Sequence, residues 1–91
     1  MKNATEIAMM TKEATNRILA QRHEDTMYCI NTMMTAEIEK QANKGEVSAK
    51  FRIGERFDRD LIRKEFEALG YEVTIKGYEV SISWLMALVK L

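Results

Sequence analysis

Arg52, Arg56, Arg59, Arg63 and Lys64 crowd one short stretch in the middle of the chain, and at strand and helix spacing they lie within reach of one surface. Guanidinium groups grip phosphate or carboxylate through paired hydrogen bonds. Arg52, Arg56, Arg59 and Arg63 are therefore the candidate anion-binding residues, and with Lys50 they are what a nucleic-acid-binding accessory protein would use. Glu55, Asp58, Asp60, Glu65 and Glu67 stand in the same segment and favour a solvated face paired within itself. A nucleic-acid partner is further disfavoured because no aromatic ring accompanies the basic groups on the polar strand face. Lysine plus arginine and aspartate plus glutamate are 14 each, and both halves of the chain are balanced, so no like-charge block exists to hold a polyanion nonspecifically.

Few other residues could do chemistry. His23 and Cys29 are six apart, which on a helix turns them to different faces, so they make no metal pair. Cys29 is the only cysteine, which excludes an internal disulfide and fits a reducing cytosol. No Ser-His-Asp spacing, phosphate loop, dinucleotide glycine pattern or paired-carboxylate motif is readable. The expectation is a protein without catalytic activity, cofactor or metal. Methionines 9, 10, 27, 33 and 34 fall on the stretch expected to form one long helix. On one helix they would either form an adaptable surface for a partner or fill a core or coiled-coil seam, which is the more ordinary use of methionine.

The elements that must carry these residues are well marked. No glycine or proline occurs from Met1 to Lys44, and good helix formers dominate there, so one long helix is expected. Asn3 followed by Glu6 has the layout of a capping box, and Thr11 offers a second start. Ile7, Met10, Ala14 and Ile18 form one apolar stripe; Ala20, His23, Met27, Ile30, Met34 and Gln41, with Glu37, form another. The two are offset across residues 21 to 26, where a bend or a change of packing partner is expected. At about 1.5 Å per residue the helix would run roughly 60 Å, too long for a compact domain of this size, so part of it projects or meets another chain.

Gly45 ends that helix, and Val47, Ala49, Phe51 and Ile53 alternate with polar residues as a strand. Asp58 caps the next helix with Phe57 and Ile62 as its staple, and Gly70 with Tyr71 folding back on Phe66 closes it. "TIKGYEV" reads as a hairpin turning at Lys76 and Gly77, which sets Ile75 opposite Tyr78, Val73 opposite Val80 and Tyr71 opposite Ile82 on one buried face. The expected fold is α+β in a single domain, 1 to 91: a long amino-terminal helix over 1 to 44, then β-α-β-β over 45 to 84, with a three-stranded sheet covered by helices on one face. A right-handed crossover makes the first two strands parallel, with the third between them. Residues 85 to 91 form an apolar tail that must be covered, either by the long helix or by a neighbouring subunit.

The helix start at Thr11 to Ala14, the strand to Ile53, the capped helix from Phe57 to Gly70 and the closing "LGYEVTIKGYEVSISW" together resemble a group of small uncharacterised proteins of tailed phages and prophages. The resemblance covers roughly residues 10 to 84, and its most specific part is "LGY", a short hairpin and "SISW". Those residues are explained by capping and strand alternation, so they mark fold and carry over no functional residue. Residues 1 to 9 precede the usual start of the group, and "LMALVKL" follows where its members mostly stop.

The reading that results is a small phage-type protein of the host cytosol that self-associates and acts by binding. Its partners would be further copies of itself and either a host protein, such as a defence or replication factor, or a small signalling nucleotide. It has no stretch of about 18 apolar residues to cross a membrane. The expected interface residues are Ile7, Met10, Ile18, Met27, Ile30 and Met34 on the helix, with Leu85, Met86 and Leu88 in the tail.

Overall fold

In a computed structural model of residues 1 to 91, helix α1 (Ala4–Cys29) passes through a π-helical turn (Ile30–Met34) into α2 (Thr35–Asn43), giving 40 continuous helical residues. The Asn3 side chain accepts from the Glu6 N–H at 2.9 Å, so the helix begins at the first of the two expected caps. Strand β1 (Ser48–Arg52), helix α3 (Arg59–Ala68), strands β2 (Glu72–Lys76) and β3 (Glu79–Ser83), and a short helix α4 (Leu85–Val89) follow. The fold is α+β, and the strand order is β1-β3-β2 with β3 antiparallel to both neighbours, which leaves β1 and β2 parallel.

Local chemistry accounts for the boundaries. Asp58 caps α3, its carboxylate accepting from the Leu61 N–H at 3.1 Å. At the other end the Gly70 N–H donates to Glu67 and the Tyr71 N–H to Phe66, the paired bonds of a Schellman ending, with Gly70 at φ +93°. The Tyr71 ring meets Phe66 edge to face at 5.5 Å. The same two-bond pattern closes α2, from Gly45 to Ala42 and from Glu46 to Gln41.

The core lies between the sheet and two helical segments. Ala49, Ile53, Val73, Val80 and Ile82 of the sheet layer meet Cys29, Ile30, Met34 and Ile38 of the long helix and Ile62 and Phe66 of α3. The change of packing partner expected at residues 21 to 26 is where the helix meets the rest of the chain, with Arg22 bonded to Glu55 and Thr26 buried against Asp58, and a second adjustment follows at the π-turn. The Thr35 N–H reaches back five residues to the Ile30 carbonyl, so one extra residue is taken into the turn. A residue rotates an α-helix by about 100°, and absorbing one keeps Met34 and Ile38 on the face of Thr26, Cys29 and Ile30. The expected stripe through Ala20 and His23 is therefore corrected: both are exposed, and Thr26 and Cys29 are buried.

The hairpin register also differs from expectation. Lys76 faces Glu79, Ile75 faces Val80 and Val73 faces Ile82, a slip of two residues. Gly77 carries φ +59° and Tyr78 does not have positive φ, so Gly77 holds the first central position of a type II′ turn rather than the second of a type I′ turn. This places opposite charges across the strands and frees Tyr78 from the buried face. A slip of two preserves facing, so Val73, Ile75, Val80 and Ile82 still point to the core.

Candidate functional site

The first 21 residues of the chain contain no buried residue, although Ile7, Met9, Met10, Ile18 and Leu19 lie among them. This arm is the part of the long helix that the sheet does not reach. It accounts for a longest dimension of 64 Å against 20 and 19 Å across, and for a radius of gyration of 17.7 Å where a compact chain of this length has about 12 Å. No helix is long and apolar enough to cross a membrane.

The expected interface residues divide into two sets. Ile7, Met10 and Ile18 on the arm, and Leu85, Met86 and Leu88 on α4, are exposed. Ile30 and Met34 belong to the chain's own core, Met34 with no exposed surface at all, and Met27 is half-buried against that core, so these three serve folding first. Helix α4 buries none of its residues. Its Ala87 lines an open groove of about 320 Å³ with Ile38, Ala42, Leu69, Tyr71 and Trp84, and Trp84 meets Tyr71 edge to face at 6.4 Å.

Three of the four candidate arginines have structural contacts of their own. Arg56 sits 3.5 Å from Asp25 of the long helix and over the Phe57 ring. Arg59 donates to the Gly77 carbonyl at 3.1 Å and lies over the Tyr78 ring, whose hydroxyl donates to Glu55 at 2.8 Å. Arg63 donates to the Val73 carbonyl and pairs with Glu67. Only Arg52, exposed on the polar sheet face with Glu79 opposite, makes no such contact. Three of the four therefore brace the loop, the hairpin tip and the β2 edge.

Two buried groups escaped sequence reasoning. Thr26 is fully buried; its hydroxyl donates to the Arg22 carbonyl at 2.7 Å and accepts from the Asp58 N–H at 2.8 Å. Nearby, Arg22 donates to the Glu55 carbonyl at 2.6 Å, so the loop from β1 to α3 is fastened to the long helix. Cys29 is buried beside it, and that burial pushes its thiol pKa up, which leaves less thiolate at neutral pH. His23 is exposed on another face of the helix. No group of histidine, cysteine or carboxylate side chains is assembled that could hold a metal ion.

Comparison with known protein families, with curated proteins and with solved structures finds no match for this chain. The surfaces themselves are what bear on function: an arm that exposes Ile7, Met10 and Ile18 among polar residues, an exposed apolar α4, and a sheet with one fully polar face.

Proposed function

We propose that this protein is a non-catalytic binding protein that self-associates through the arm of α1 and through α4, and acts by inhibiting or sequestering another molecule. The observation that carries this reading is the arm: Ile7, Met10 and Ile18 stay exposed over a helix for which the chain supplies no cover. Burying an isoleucine or methionine side chain contributes roughly 1.5 to 3 kcal/mol, so pairing such arms is a substantial gain for a domain with a small core. A net charge of zero removes long-range repulsion between copies. The resemblance to small phage and prophage proteins suggests a role during infection, with a host factor or a small signalling ligand as target.

Native mass spectrometry of the full chain, purified gently from expressing cells, tests this. A closed oligomer carrying a small-molecule mass or a defined host subunit is the expected result. A bare monomer would remove the self-association and leave the arm without the role proposed for it.

A further inference from the structure

The two edges of the sheet are unequal. In the β1–β3 ladder the Trp84 N–H donates to the Val47 carbonyl at 2.9 Å and the Ile53 N–H to the Tyr78 carbonyl at 2.7 Å. By the alternation of an antiparallel pair, the backbone groups of Val47, Ala49, Phe51 and Ile53 point to β3, and those of Ser48, Lys50 and Arg52 point away from it. No strand lies beyond β1, so these donors and acceptors form an open edge. On β2 the outward groups are those of Val73 and Ile75, and Arg63 already occupies the Val73 carbonyl at 3.2 Å.

A groove of about 500 Å³ runs between the open edge and the long helix, lined by Met33, Ala36, Phe51 and Ile53, with Lys40 at its rim. Met33 is 68% exposed there. On the polar face the edge carries Lys50 and Arg52. The chain's ion pairs are Arg56–Asp25 and Arg63–Glu67, so Lys40, Lys50 and Arg52 have no carboxylate within pairing distance. Acids near this edge are Glu46, exposed two residues before Ser48, Glu79, opposite Arg52 on β3, and Glu37 in the groove, whose carboxylate accepts from Gln41 at 2.8 Å.

A second copy satisfies this edge only in part. Antiparallel pairing of β1 with itself sets Lys50 against Lys50 or against Arg52 in two in-phase registers, where like charges directly opposite are destabilising, and against Ser48 in a third, which brings only Arg52 beside an acid, Glu46; a strand with acids at alternate positions sets a carboxylate opposite both cations at once. We infer that the open edge of β1 takes an extended segment of another protein, added as a fourth strand, with acidic residues at alternate positions facing Lys50 and Arg52 and an apolar residue between them directed into the groove beside Met33 and Phe51. Main-chain hydrogen bonds to Ser48, Lys50 and Arg52 would hold the strand, and the alternating side chains would select it. This rests on the reading of the protein as one that acts by binding, but not on its self-association.

The test is titration of the full chain with a blocked synthetic peptide alternating glutamate and valine, followed by fluorescence anisotropy and residue-resolved amide hydrogen exchange. Saturable binding with slowed exchange at the Ser48, Lys50 and Arg52 amides is expected. Combining Lys50→Glu with Arg52→Glu should weaken the acidic peptide by about tenfold or more and create affinity for a peptide alternating lysine and valine, while circular dichroism shows the fold retained. Equal binding of a peptide with the same composition but no alternation would overturn the inference. So would absence of binding, protection at other amides, or protection of the edge that grows with protein concentration alone, which would assign the edge to a second copy. Peptide binding by a protein that sediments as a monomer would support this inference while removing self-association.

Discussion

Thr26 shows how one hydroxyl can join three segments. It donates to Arg22 within the helix and accepts from Asp58, whose carboxylate in turn caps α3. Thr26→Val keeps the shape but leaves the Asp58 N–H without its partner, so it should lower stability by about 1 to 3 kcal/mol in urea unfolding, with Thr26→Ser costing less. Cys29 makes a second prediction. Its folded pKa lies above the unfolded value of about 8.5. The neutral thiol's contribution is therefore fully present below that pH and is lost as pH rises through the raised native value, because the unfolded chain gives up its proton first. Stability should fall with pH above about 8.5, and Cys29→Ala should flatten that slope. Neither residue was legible as core in the sequence, since threonine is usually exposed and the helical periodicity pointed to His23 and Met27 instead.

At the scale of elements, the caps were readable because each rests on a local bond: Asn3 to Glu6, Asp58 to Leu61, Gly70 to Glu67. The parallel relation of β1 and β2 followed from handedness, and the expected place of β3 between them is the one observed. The hairpin register and the helix face were not readable, for a common reason: both turn on a one- or two-residue choice that local composition leaves degenerate. Gly77 suits either central position of a turn, and the tertiary contacts of Tyr78 with Arg59 and Glu55 accompany the choice made. The π-turn yields a sharp prediction. Deleting exposed Asn31 should convert it to an ordinary turn while keeping both core faces aligned, changing stability by no more than about 1 kcal/mol. Inserting one alanine between Thr35 and Ala36 should rotate Ile38 by about 100° out of the core and cost several kcal/mol; denaturant midpoints compare the two.

At the scale of the whole molecule, the length of the helix was legible in the absence of glycine and proline from Met1 to Lys44, and so was the implication that part of it projects. Which of its apolar residues would be free was legible only in part, because Ile30 and Met34 carry the same side-chain chemistry as Ile7 and Met10 and differ only in having a sheet to pack on. That division predicts two classes of variant. Ile30→Asp and Met34→Asp bury a charge in the core and should unfold the chain, with losses of more than about 4 kcal/mol. Ile7→Asp and Ile18→Asp lie on the arm, should leave the fold of a single chain intact, and should act on association alone. Sedimentation velocity of the full chain beside an Ile7→Asp, Ile18→Asp double variant separates these effects most directly. The account predicts a closed oligomer of the 10.6 kDa chain that becomes a folded monomer in the variant. A wild-type monomer across the micromolar range, or an oligomer that the double variant leaves untouched, would contradict it.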